Sequence, residues 1–260
     1  MGFLLQERSW LRVIEELQIT TSLAIRIQGA ERVAAWSSTL SKPATIKATS
    51  AAEFVPPRHE LAILGKAVQD CRGCELYRGA TQAVFGERLG DGKGSSRAAI
   101  MMIGEQPGDK EDLAGHPFVG PAGKLLAQCL SEAEIDPKQV YITNAVKHFK
   151  WEPRGKIRLH KKPSVTEMRA CKPWLEAEMD AVKPKLIVCL GATAAQSLLG
   201  AQFRVSQSRG KLQQFGDLPP VIATVHPASI LRARTEDDRH KQTADFIADL
   251  RYSKEFLRTI

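Results

Sequence analysis

MMIGEQPGDKEDLAGHPFVGPAGKLL, residues 101–126, decides how the rest of the chain is read. It opens inside an apolar run, 98–103, whose length and composition suit a buried strand. The run breaks at Gly104 into Glu105, Gln106, Pro107, Gly108, Asp109, Glu111 and Asp112. Pro117, Phe118 and Gly120 follow, and a helix begins near Pro121. Open α/β sheets hold their ligand sites where a strand ends this way, with backbone N–H groups and acids at its carboxyl edge. Turn formers would explain the glycines. They do not explain a phenylalanine between Pro117 and Gly120.

Working outward, apolar runs recur at 140–146, 185–190 and 220–225, and helical patterns occupy 122–133, 166–182, 192–199 and 237–257. Strands alternating with helices predict a parallel sheet covered on both faces, an α/β/α sandwich. One domain over 55–258 is the simplest architecture. Residues 1–54 read as an N-terminal extension and linker, with SSTLSKPATIKATSAA at 37–52 the linker proper and no catalytic role expected. The strand ends carry Gly104-Glu105, Asn144, Gly191 and His226-Pro227. Parallel strands put these ends on one edge, so Glu105, Asn144 and His226 should converge.

With 260 residues and a net charge of +8, the chain can bury a full core and favours a polyanionic partner. No apolar run has the length of a membrane span, and MGFLLQERSW lacks the basic and apolar regions of a signal peptide. A cytoplasmic, bacterial location and no membrane partner are expected. Of five cysteines, Cys71 and Cys74 form a CxxC, Cys171 and Cys189 stand alone, and Cys129 reads as a core thiol. A single close pair departs from zinc ribbons with two CxxC pairs and suits a cubane cluster. Residue types alone leave iron–sulfur and zinc open.

Between the second strand and the next helix lies HFKWEPRGKIRLHKKPSVTEM, a basic loop. From 150 to 172 it has eight Lys or Arg against Glu152 and Glu167. Lys156, Arg158 and Lys161, with Arg232 further on, are candidate DNA contacts, and such contacts make affinity fall with salt. His160 sits within the run, flanked by Arg158 and Lys161.

GEQPGDKEDLAGHPFVGPAG, YITNAVKHFK, GKIRLHKKP, LGATAAQSLLG and ATVHPASILR together resemble the iron–sulfur uracil-DNA glycosylases of family four. Within them they most resemble the uracil-DNA glycosylase X subfamily, which cross-links itself to DNA. The resemblance spans roughly residues 54–255. It implies a four-stranded parallel sheet, a [4Fe–4S] cluster on Cys71, Cys74, Cys171 and Cys189, and uracil-containing DNA as partner of a monomer. It also implies a uracil pocket formed by Gly104 and the loop, with Phe118 stacking on the base. Asn144 would read O4 and N3–H, and Glu111 would exclude the thymine methyl. His226 would stabilise the departing uracil, Glu105 would assist, and His160 would attack C1′. Gln106 and Asp109 would hold this arrangement in place. Family members carry two adjacent arginines before an Ile-His pair, whereas here Ile157 replaces one of them, so weaker anchoring of the loop is expected; Ala228 stands where the family often has Ser. A hydrolytic glycosylase that uses water, or a non-catalytic binder of uracil-DNA, are the alternatives.

Overall fold

The computed structural model describes residues 50–90 and 98–260, so most of the expected extension and linker lies outside the described residues. The elements, in chain order, are α1 (Leu61–Ala67), β1 (Glu87–Arg88), β2 (Ile100–Gly104), α2 (Asp109–Ala114), α3 (Pro121–Glu132) and β3 (Val140–Asn144). Then come β4 (Trp151–Arg154), β5 (Ile157–His160), α4 (Val165–Val182), β6 (Leu186–Leu190), α5 (Ala192–Leu199) and α6 (Val205–Ser208). The chain closes with β7 (Leu212–Gln213), β8 (Val221–Thr224), α7 (Pro227–Leu231) and α8 (Glu236–Leu257).

The main sheet runs β1-β3-β2-β6-β8-β7. Its four central strands are parallel, as expected. Two-residue antiparallel strands, β1 and β7, extend its edges, and neither has the apolar run that would announce it. Period-two alternation sorts each central strand between two layers. Ile100, Met102, Ile142 and Val188 pack with Leu126 and Leu130 of α3 and Phe246 and Leu250 of α8. Met101, Ile103, Tyr141 and Ile187 pack with Leu175 of α4 and Ala194 of α5. Each such side chain taken fully from water is worth roughly 1.5–3 kcal/mol. The result is the three-layer α/β/α sandwich.

Local signals explain the boundaries. Pro121 starts α3, where a missing N–H costs nothing. Ser164 and Glu167 close a capping box on α4. Ala51 is buried against the Cys71–Cys74 turn, so the folded unit takes in the short 3-10 turn Ala51–Phe54. The basic loop is the largest departure from the sequence reading. It is a β-hairpin, β4 pairing with β5 from Trp151↔His160 to Arg154↔Ile157, turning through Gly155 at φ 60. The surplus of charge hid its alternation.

Candidate active site at the carboxyl edge of the sheet

Gly104 and Asn144 end neighbouring strands as register partners. A Cβ at residue 104 would lie 2.4 Å from Asn144 Oδ1 and 2.7 Å from Phe118 Cζ, so only glycine leaves the space between them open. Asn144 is buried, and its Oδ1 has no hydrogen-bond partner among the described residues. An unmet buried acceptor costs about 1–3 kcal/mol, which a ligand N–H placed there would recover. Phe118 reaches this point from a left-handed backbone, φ 56, a conformation that costs a non-glycine residue about 1–3 kcal/mol unless its surroundings hold it there. Gly123 permits the close turn, since a Cβ there would fall on the Phe118 carbonyl.

His226 caps α7 beside Phe118, the two rings being 5.9 Å apart and 27° from parallel. Its Nδ1 accepts the Ala228 N–H at 3.1 Å, so the ring proton belongs on Nε2, free to donate. Burial first, then the charges of Arg232 and His160, push its pKa down to about 4. The imidazole is therefore a neutral donor at ordinary pH.

Glu105 follows Gly104. The Thr193 hydroxyl, from the first turn of α5, donates to its Oε2, and its Oε1 lies 3.4 Å from His160 Nε2. The hairpin that brings His160 there is held at both ends of its paired strands. Gln106 Nε2 donates to the carbonyls of Lys150 and Lys161, each at 3.1 Å, and its Oε1 accepts the Lys150 N–H at 3.1 Å. Further out, Arg158 Nε donates to Asp109 at 2.6 Å, and its Nη1 donates to Asp112 at 2.6 Å and to the Thr81 hydroxyl at 3.3 Å. Its guanidinium also lies against the rings of Phe149 and Trp151. Gln106 and Asp109 thus have separable tasks, one clasping the hairpin's base and the other anchoring its outer strand.

The other expected residues take these places. Arg158, a candidate DNA contact, pairs with the carboxylates of Asp109 and Asp112. Lys161 pairs with Glu152 at 2.7 Å on the surface, while Lys156 and Arg232 are exposed. On β5, Arg158 and His160 face the body while Ile157 is 68% exposed, so the anchoring contacts of this strand are those of Arg158. Glu111, the expected guard against the thymine methyl, is buried and bonded to the loop's own backbone. Its oxygens accept the N–H groups of Gly108 at 3.1 Å and Gly120 at 2.8 Å, bracing the loop on either side of Phe118. The sequence reading missed Thr193, Thr81 and Asp112 as site supports, since none stands out without knowing what it faces.

The cysteines divide. Cys71, Cys74 and Cys171 share one part of the core, below α1 and α4. Cys189 does not join them: it lies within β6, paired with Ile103 and Ala223, in the apolar layer under α5. Its position in a central strand fixes the side chain there. His148 is instead the buried residue next to the trio. Lys147, its neighbour, donates its backbone N–H to Cys171 Sγ at 3.3 Å, and the charge of Arg72, inside the CxxC, helps burial hold the His148 pKa down to about 4. Cys71 Sγ accepts from Trp174 Nε1 at 3.2 Å and from the Gly73 N–H at 3.5 Å. Burial pushes the Cys74 thiol up to about 11 and Cys171 to about 12, so a positive centre is needed to hold them as thiolates. Among the described residues no three such side chains close round a single ion. Buried thiols with N–H groups aimed at the sulfurs of Cys71 and Cys171 suit the thiolate ligands of an iron–sulfur cluster. Cys129 is a core thiol, as read.

This sandwich and site belong to a known class. The model of the uracil DNA glycosylase superfamily matches residues 92–251, more than half of the chain, and the chain belongs to that superfamily. Within it, the chain is 34% identical over 203 residues to a type-4 uracil-DNA glycosylase of Thermotoga maritima, covering 77% of this chain and 97% of that protein. A type-4 uracil-DNA glycosylase of Archaeoglobus fulgidus is 36% identical over 173 residues, 64% of this chain and 80% of its own length. A type-5 enzyme of Thermus thermophilus is 32% identical over 132 residues, 45% and 56% of the two chains. Among the described residues no helix is long and apolar enough to cross a membrane.

Proposed function

We propose that this chain excises uracil from DNA, single strands preferred, and then bonds His160 to C1′ of the abasic deoxyribose in a single turnover, as in the uracil-DNA glycosylase X subfamily. The observation that carries this reading is His160 Nε2 at 3.4 Å from Glu105 Oε1, on a hairpin that Gln106 and Arg158 pin to the body. A flipped deoxyuridine stacks on Phe118, and flipping costs least in a single strand. Asn144 Oδ1 accepts uracil N3–H, and the amide's other end donates to O4. Cytosine reverses both partners, and a mispaired buried amide rejects it by ~10⁴ or more.

In the reaction the C1′–N1 bond breaks and its electron pair goes to uracil. His226 Nε2–H stabilises the resulting anion at O2, a donor of the kind worth roughly 3 kcal/mol in a transition state. The His160 nitrogen away from Glu105 attacks C1′, forming a C1′–N bond. Glu105 takes the proton from the other nitrogen, and solvent protonates the uracil anion. The neutral alkylated imidazole is a poor leaving group, so no turnover follows. Thr193 keeps one Glu105 oxygen occupied and leaves the other for His160. Cys71, Cys74, Cys171 and His148 would hold a [4Fe–4S] cluster and through it would tie the CxxC turn to the exit of β3 and to α4. Lys156 in the hairpin turn and Arg232 near His226, both exposed, contact phosphates, and the protein acts as a monomer.

Uracil-containing single-stranded DNA incubated with the protein and run on a denaturing gel tests this. A shifted band that survives denaturation is expected, and it should vanish in His160→Ala. No band in either protein, with abasic DNA released over many turnovers, means that water is the nucleophile. Salt-sensitive binding with no uracil release means a binder without chemistry.

A further inference from the structure

One buried charged group is unused by this chemistry. Lys147 and Glu178 are both fully buried, and ion pairs so placed seldom repay their desolvation. Their hydrogen bonds are nonetheless complete. Lys147 Nζ has three acceptors for its three protons: Glu178 Oε2, Thr143 Oγ1 at 2.7 Å and the Asn144 carbonyl at 2.8 Å. Glu178 accepts in addition from Tyr141 at 2.9 Å, Thr143 at 3.0 Å and the Gly86 N–H at 3.0 Å. Lys147 therefore doubles back along the end of β3 and grips the main chain of Asn144. Its own N–H meanwhile points at Cys171 Sγ on α4, the helix that carries Glu178.

We propose that the Lys147–Glu178 pair is a positioning device for uracil recognition, fixing the peptide plane of Asn144 so that its side-chain amide meets the uracil edge at one angle. The proposal rests on the uracil reading above. A well-packed apolar pair would hold β3 to α4 at less cost in desolvation, but it could not hold a carbonyl at the strand's end. Charge here supplies direction.

The test uses full-length protein in excess over uracil-containing single-stranded DNA, with single-turnover uracil release measured across enzyme concentrations. Lys147→Met strands the Glu178 charge, so Lys147→Met/Glu178→Gln is the decisive variant. It removes both charges while keeping an acceptor for Gly86 and Tyr141. The expected result is a maximal rate lowered at least tenfold with half-saturation within threefold of wild type. A merely structural role would shrink the folded fraction, which raises half-saturation and leaves the maximal rate alone. A maximal rate within threefold of wild type overturns the proposal, as does a double variant that does not fold. Wild type that releases no uracil would defeat the functional reading itself, a different failure.

Discussion

Removing the Arg158 side chain should separate uracil excision from cross-linking. Its pair with Asp109 is half-buried, the carboxylate 44% exposed, and is worth about 1 kcal/mol. The pair with Asp112 matters more, because that carboxylate is fully buried while Arg158 itself is 20% exposed. Stranding a buried partner costs roughly 3–5 kcal/mol. Here the Thr81 N–H, 2.9 Å from Asp112, still serves the carboxylate, and water reaches the guanidinium, so ~2 kcal/mol is a better figure. Contacts with the Phe149 and Trp151 rings add about 0.5 kcal/mol each. The docked hairpin thus loses up to ~4 kcal/mol in Arg158→Ala, with Gln106 and the Trp151–Gly79 hydrogen bond still holding it. Covalent adduct formation, timed on denaturing gels, should slow by about ten- to a hundredfold. Uracil release should change less than threefold, because Arg158 touches none of Gly104, Asn144, Phe118 or His226. Arg158→Lys, which keeps the charge but not the fork, should fall between. An adduct rate within threefold of wild type would refute the idea that this anchor presents His160. So would uracil release falling in step with it.

Gly104→Ala should abolish excision by at least a hundredfold while the melting temperature moves by only a few degrees, since the new methyl group enters the base pocket rather than the core; normal uracil release would show that the base sits elsewhere. The cluster reading predicts that Cys171→Ser and His148→Ala lose most of the bound iron and sulfide, whereas Cys189→Ala keeps both at wild-type content. Equal loss in all three would restore Cys189 as a ligand. His226 has a folded pKa of about 4 against an ordinary 6.5, so between those values the unfolded chain binds more protons. Its contribution leaves stability untouched above about 6.5, lowers it as pH falls, and levels off below about 4 after a loss of roughly 3 kcal/mol. Urea melts at pH 7.5 and 4.5 should show wild type losing more stability than His226→Gln; parallel losses would contradict the neutral buried ring.

The four parallel strands and the convergence of Glu105, Asn144 and His226 were legible because strand ends and chemistry coincide in sequence. Phe118 was legible because it is out of place in its loop. The hairpin was not, since charge outweighs alternation in so short a segment and only Gly155 marks the turn. Arg158 looked like a DNA contact because its sequence neighbours are cations, whereas its spatial neighbours are Asp109 and Asp112. Cys189 drew attention by residue type, and His148 escaped it for the same reason. Which layer of the core a side chain enters depends on strand register, which spacing between cysteines does not encode. Thr193 and the Lys147–Glu178 pair come from segments far apart in sequence and acquire meaning only when those segments meet.

The two-sided character of β5 has a practical corollary. The side facing away from the protein body carries Ile157 and Leu159, 68% and 39% exposed. All five native thiols are buried. Ile157→Cys would thus offer a solitary reactive handle for a fluorophore or affinity tag, three residues from the imidazole yet turned the other way. On the cross-linking reading, a protein labelled there would mark deaminated cytosines in DNA with a bond that survives boiling.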